Sequence, residues 1–192
     1  MTCCYGADMR APIGDFPDAR PAPEALELLP EPVSAAVAAW SGPVPADQLV
    51  FVDSDPAVAD TADFVAAHGS DLLSASANCV VVAGRRGGET RLAACVVPSA
   101  ARVDVNGTVR RHLGVRKASF APHEVAVGES GMEYGGITPV GLPADWPVLL
   151  DAAVVDLPWV LLGSGRRRGK LIVPGKALLQ IAGAEVIEGL GR

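Results

Sequence analysis

Cysteine is scarce in this sequence, and so are the other residues that most often ligate metals or act as nucleophiles. Among 192 residues there are four cysteines, three histidines and three lysines (Lys117, Lys170 and Lys176). Two of the cysteines, Cys3 and Cys4, are adjacent, which leaves neither a disulfide framework nor a paired-cysteine zinc site. His68, His112 and His123 lack ligand spacing, so no metal and no cofactor is expected. Aromatic residues are only 5% of a chain that is 49% hydrophobic, so the core is built mainly from Val, Leu, Ile and Ala. Long apolar runs are missing as well. The longest uncharged stretch, Pro32 to Ala46, has 15 residues and contains Pro32, Pro43 and Pro45, too short and too broken to cross a bilayer. The opening MTCCYGADMRAP has no basic flank followed by an apolar segment, so no secretory signal is expected. The expectation is a soluble cytoplasmic protein with no membrane partner.

Basic residues are nearly absent from the first part of the chain. Residues 1–78 carry 12 acids and 2 bases, a net of -10, whereas residues 79–192 carry 10 acids and 14 bases, a net of +4, together the overall -6. An acidic protein is a poor non-specific binder of nucleic acid, because phosphate contacts need local Lys and Arg. The second part can still present such a patch.

The length suits one folding unit. Residues 1–23, rich in Pro, Gly and Asp without apolar periodicity, read as a poorly ordered tail, and 24–192 as a single domain with an N-terminal helical extension. In that extension Ala25, Leu26, Leu28 and Leu29 form one apolar face, and Val33 to Trp40 resumes after Pro30 and Pro32. Gln48–Val52 reads as a strand and Asp55–His68 as a helix with Val58, Ala62, Phe64 and Val65 inward, Asp55 capping and Pro56 in the first turn. Cys79–Ala83 and Arg91–Val97 flank a Gly-bearing turn and predict a hairpin. Asp104–Leu113 predicts a helix with Val105, Val109 and Leu113 on one face, and Ser119–Val127 a second one. Strands are expected at Val148–Leu150, Trp159–Leu162, Leu171–Val173 and Glu185–Ile187, with a helix over Gly175–Ile181. The sum is a mixed α/β (α+β) fold, with a largely antiparallel sheet or barrel surrounded by short helices.

Two motifs fail on inspection. Gly163–Lys170 (GSGRRRGK) has Ser164 where a phosphate-binding loop needs its first Gly and is followed by Leu171 where Ser or Thr would bind magnesium. No serine sits in a G-x-S-x-G elbow, so an α/β-hydrolase nucleophile is excluded. What the sequence has instead is the loop Met132–Leu142, with Gly131, Gly135, Gly136, Pro139, Gly141 and Pro143 inside 13 residues. Glycine at that density marks backbone that closely approaches a ligand or turns a tight corner.

The order of segments around this loop carries a resemblance. CVVVAGRRGGETRLAACVV, VDVNGTVRRHLG, SFAPHEVAVGESG, the loop GGITP at Gly135–Pro139, the strand Val148–Asp151, the turn SGRRRGK and the closing PGKALLQIAGAEV follow one another over residues 78–187. In that order they resemble the YbaK/ProX-type aminoacyl-tRNA deacylases, the editing domains also found attached to prolyl-tRNA synthetases. The family typically has a lysine at the start of the first core strand, lying in the substrate pocket. Here Ala77 or Asn78 occupies that place, and none of the three lysines is near it in sequence.

The resemblance implies a trans-editing deacylase that hydrolyses the ester of a mischarged tRNA, with the tRNA and an aminoacyl-tRNA synthetase as partners. Such an ester is already reactive, so positioning, a water molecule and backbone donors for the carbonyl oxygen are sufficient; one such donor is worth on the order of 3 kcal/mol. By carry-over Gly135, Gly136 and Asn78 are the catalytic candidates, and Ile137, Thr138, Pro139 and Asp151 the substrate-binding ones. Arg166, Arg167, Arg168, Lys170, Arg116 and Lys117 are the candidates for tRNA phosphates. The alternative is a non-catalytic binding module of the same fold that recognises an aminoacyl group, a small metabolite or a protein partner.

Overall fold

The computed structural model describes residues 10–55, 57, 61–70 and 72–192, with the side chains of 61–63 excepted. The chain begins with strand β1 (Arg20–Pro21), helix α1 (Glu31–Ala38), strand β2 (Val50–Val52) and helices α2 (Thr61–His68) and α3 (Leu72–Ala75). The hairpin β3 (Ala77–Arg86) and β4 (Glu89–Pro98) follows, then a wide helical turn over Val105–Val109 and the short α4 (Arg110–His112). Next come β5 (Lys117–Phe120), α5 (His123–Ser130), the glycine-proline loop, β6 (Val148–Asp151) and α6 (Ala152–Val155). Strands β7 (Val160–Gly163) and β8 (Lys170–Val173), a tight 3-10 helix over Gly175–Gln180 and β9 (Ala184–Ile187) complete it.

Two sheets form. One has the order β1-β2-β8-β7 and is antiparallel throughout; the other has the order β5-β3-β4-β6-β9, in which β4–β6 and β6–β9 are parallel. Among the described residues neither sheet closes, so the architecture is open α/β and not a barrel. The hairpin turns on Gly87 and Gly88, with φ of +60° and +89°, a conformation that matches the right-handed twist of the flanking strands and that side-chain-bearing residues rarely adopt. A single apolar cluster joins the sheets: Phe51, Leu162, Leu171 and Val173 from one pack with Ala94, Val96, Val148 and Leu150 from the other. Full burial of each of these side chains other than Ala94 contributes about 1.5–3 kcal/mol.

Several local expectations change in the tertiary context. Ser119 is in β5 and not at the start of a helix, because residues 117–120 pair with the edge of β3 (Val82 opposite Phe120) and the helix starts only after Pro122, at His123. Over Asp104–Leu113 the expected helix forms, but it is wound wide as a π-helix at Val105–Val109 and is α-helical only at Arg110–His112; the Asp104 carboxylate holds its start, accepting from the amides of Gly107 and Thr108 at 3.2 and 2.7 Å. Gly175–Gln180 winds as a 3-10 helix. Helix α6 has no counterpart in the apolar pattern. Of the segment read as a tail, residues 1–9 lie outside the described residues, and Phe16, Ala19 and Ala22 are buried. Pro56 and Val58, assigned to the second helix, also lie outside, as does the side chain of Ala62; Phe64 is buried as expected.

Candidate active site

Between α3 and the start of β3, an isolated parallel bridge between Ser76 and Leu161 brings the chain against β7 of the other sheet. The two sheets diverge from that seam around a cavity of about 470 Å³. Its walls are residues 76–81 of β3, residues 161–163 of β7, Gly135 and Ile137 of the glycine-proline loop, Lys170 of β8 and Phe64 of α2. Phe120, Ala121, His123, Ala126 and Tyr134 complete it from β5, α5 and the segment after α5.

The loop is placed by helix α5 and shaped by its own hydrogen bonds. Gly131 ends α5 in the left-handed region (φ +66°), its amide donating to the Val127 carbonyl at 3.0 Å. The Gly136 amide donates to the Glu133 carbonyl at 3.0 Å, and the Gly136 carbonyl accepts from the Gly165 amide at 2.7 Å. Gly136 therefore faces the basic turn: a Cβ there would run into the backbone of Arg166. Gly135, with φ of +81°, lines the cavity. Among the described residues no acceptor takes the amide hydrogens of Gly135 or Ile137. Thr138 is fully buried beside the cavity walls, its amide directed to the Met132 sulfur at 3.5 Å and its hydroxyl without a partner among the described residues. Pro139 is buried in the same loop.

Asp151 is spent on the scaffold. One carboxylate oxygen accepts from the Ala153 amide at 2.9 Å, capping α6, and the other from the Gly191 amide at 2.7 Å. It does not line the cavity. Ala77 and Asn78 both do. The Asn78 side chain is exposed and makes only a 3.5 Å contact to the Ser99 carbonyl.

Lys170 is the residue that sequence reasoning placed differently. It follows an arginine turn and reads as part of a surface patch. In the structure it opens β8, paired in register with Gly163 on one side and Val52 on the other, and is only 9% exposed. Its ammonium lies 5.3 Å from the centre of the Phe64 ring, and the residue lines the cavity. The cavity thus has a lysine, delivered from β8 and not from β3.

Of the three consecutive arginines, Arg168 is committed to Asp53: its Nε donates to Oδ1 at 2.7 Å and a second guanidinium nitrogen engages Oδ2. That hydrogen-bonded guanidinium holds the Asp53 carboxyl below its usual range. Ser164 and Ser54 stitch the same turn, the Ser164 hydroxyl donating to the Arg168 carbonyl at 3.0 Å and the Gly169 amide donating to the Ser54 hydroxyl at 3.1 Å. Arg166 and Arg167 remain half-buried against the glycine loop, and the guanidinium of Arg167 comes within 3.0 Å of where a Cβ on Gly135 would be. Arg116 and Lys117 are exposed at the far end of β5, with Lys117 opposite Arg85.

The cavity's cysteine does not account for the site. Cys79 lines the cavity, but burial, reinforced by neighbouring Cys95, pushes its thiol far above the ordinary range; burial pushes Cys95 up to about 12. A thiol so disfavoured as thiolate is a poor nucleophile at neutral pH. What remains is a cavity with backbone donors, a buried ammonium and a mixed polar and apolar lining.

Residues 55–181 match the profile of the aminoacyl-tRNA editing domain. The chain belongs to that family. Among solved structures, this editing domain is similar to a proposed trans-editing enzyme for prolyl tRNA synthetase (22% identity, TM-score 0.67), covering 82% of this chain and 93% of that one. It is similar to a scaffold protein used in computational epitope grafting (21% identity, TM-score 0.67, 82% and 94% covered). A third structure, hypothetical protein APE2540, shares 20% identity with a TM-score of 0.65, covering 75% and 91%. At these identities the structures establish the shared fold, and family membership supports a role in tRNA editing. Among the described residues of the editing domain no helix is long and apolar enough to cross a membrane.

The cavity-lining residues that sequence reading does not assign to a site are Phe64, Phe120, His123 and Tyr134, and Lys170 is assigned by it to tRNA phosphates instead of to the cavity. They are spread along the chain, and no single motif contains them all. Only strand register and the seam between the sheets bring them to one cavity.

Proposed function

We propose that this editing domain hydrolyses, in trans and in the cytoplasm, the ester joining an amino acid to the terminal ribose of a mischarged tRNA, removing the errors of an aminoacyl-tRNA synthetase. The observation that carries this reading is the lining of one cavity by Gly135 and Ile137, whose amide hydrogens no acceptor takes among the described residues, and by the buried Lys170. The amides donate to the carbonyl oxygen as negative charge develops on it. Lys170 adds a positive charge in a partly water-excluded site, where it is worth more than in bulk solvent. A water oxygen attacks the carbonyl carbon, the bond to the ribose oxygen breaks, and that oxygen leaves with a proton, giving free amino acid and uncharged tRNA.

Gly136 serves the site by packing, since its own amide is used within the loop. Asn78, at the cavity's exposed edge, contacts the ribose or the carbonyl. Arg166 and Arg167 hold phosphates near the ester, Arg116 and Lys117 hold phosphates farther along the acceptor stem, and Lys170 works inside the cavity. The test is release of amino acid from a panel of mischarged tRNAs that includes Pro-, Ala-, Ser- and Cys-acceptor species. Hydrolysis of at least one is the expected result. Binding of every species without release would establish a non-catalytic binding module instead.

A further inference from the structure

The cavity's mouth is aromatic in a protein that has few aromatic residues. Phe120 is 60% exposed and Tyr134 is 61% exposed, and both line the cavity. His123, exposed at the start of α5, lies against the Tyr134 ring with centroids 4.6 Å apart. The next residue after Tyr134 is Gly135, over which the Arg167 guanidinium stands. Leaving such rings in water forgoes the stabilisation that burial gives to Phe51, Phe64 and Trp146 in the same protein.

From this arrangement we propose that Phe120 and the Tyr134–His123 pair form a stacking platform for the unpaired nucleobases at the 3′ end of the tRNA. The proposal rests on the ester-hydrolysis reading above, because that reading places the terminal ribose at this opening. Planar π-faces beside an arginine are the recurring solution for holding single-stranded nucleic acid without reading its sequence. Such a platform accounts for how a site that selects its aminoacyl group by the cavity can serve different tRNAs: the stacked bases are held by their faces. The Glu133 carboxylate, which accepts the Arg167 amide at 2.7 Å, fixes the backbone of the arginine turn beside the platform and leaves the guanidinium for the RNA.

The experiment measures binding of the trinucleotide cytidylyl-cytidylyl-adenosine to the full chain by NMR titration, in wild type and in Phe120→Ala, Tyr134→Ala and Tyr134→Phe variants. Val186→Ala, at an exposed apolar position on β9 away from the cavity, is the control. Loss of one stacked base is expected to weaken the Kd of Tyr134→Ala and of Phe120→Ala by about 5- to 100-fold, while Tyr134→Phe and Val186→Ala stay close to wild type. Unchanged Kd in both alanine variants, or no saturable binding by wild type, would overturn the platform and assign the exposed rings to a protein partner. An equal loss in Tyr134→Phe would overturn stacking in favour of a hydroxyl hydrogen bond. Because the trinucleotide has no ester, failure of the platform is seen separately from failure of hydrolysis on mischarged tRNA.

Discussion

The carbonyl oxygen of Gly136 accepts the amide hydrogen of Gly165 at 2.7 Å, and through that bond the glycine-proline loop and the arginine turn act as one unit. The close approach explains the glycine: the α-carbon of Arg166 would lie 2.9 Å from a Cβ on residue 136, and its carbonyl group nearer still. It also places two cations at the edge of a cavity whose wall is the next residue in each direction.

Gly136→Ala is expected to lower stability by about 1–3 kcal/mol, the range for overpacking a close-packed site. Turnover should fall with it, because the loop can relieve the clash only by moving Gly135 and Ile137. Gly128→Ala is the comparison. It lies in α5 with open space around the Cβ position, and replacing glycine in a helix should be neutral or stabilising by up to about 1 kcal/mol. Urea denaturation of both variants measures this; equal midpoints would refute the packing role of Gly136.

Lys170→Met retains the aliphatic stem and removes the charge. If the ammonium stabilises the developing oxyanion, kcat/KM on a mischarged tRNA should fall roughly 10- to 100-fold, in keeping with about 1.5–3 kcal/mol for a charged hydrogen bond. Lys176→Met, which removes an exposed lysine 3.0 Å from Asp156, should leave kcat/KM unchanged. The assignment fails if the folded Lys170→Met protein turns over at the wild-type rate.

The Asp53–Arg168 pair gives stability a pH dependence of defined sign. In the folded protein the Asp53 carboxyl titrates below its ordinary 3.8, so in the acid range the unfolded chain binds more protons. The contribution is therefore fully present above about pH 4 and is lost as pH falls through the lowered folded value. With the Arg168 side chain 60% exposed and the pair screened by solvent, it is small. Asp53→Asn should lower the urea midpoint at pH 7, and the gap from wild type should close in acid. A gap that stays constant with pH would exclude the ion pair as its cause.

Much of the scaffold was legible because its signals are local. The valine-bearing apolar runs Cys79–Ala83 and Arg91–Val97 on either side of Gly87 and Gly88 specify the hairpin, and both glycines take the positive φ that such a turn requires. The glycine-proline loop announced itself by composition, and the order of segments around it was enough to point to the editing family. Other features depended on partners distant in the chain. Ala118 to Phe120 became a strand because β3 offered an unpaired edge; an isolated helix of that length would not hold. Lys170 looked like the end of a charged surface turn, and the pairing of Gly163 with Lys170 turned it inward to stand by Phe64, more than a hundred positions earlier in the chain. Asp151 could be read as a strand end or a ligand until the Ala153 and Gly191 amides took both its oxygens. Spacing along a strand or helix dictates which residues share a face, so the sequence by itself determined the hairpin, most of the other strands and the loop. Which faces meet depends on strand register and on burying the two sheets' apolar surfaces together, and so only the tertiary structure decided where the cavity lies and which cation it contains.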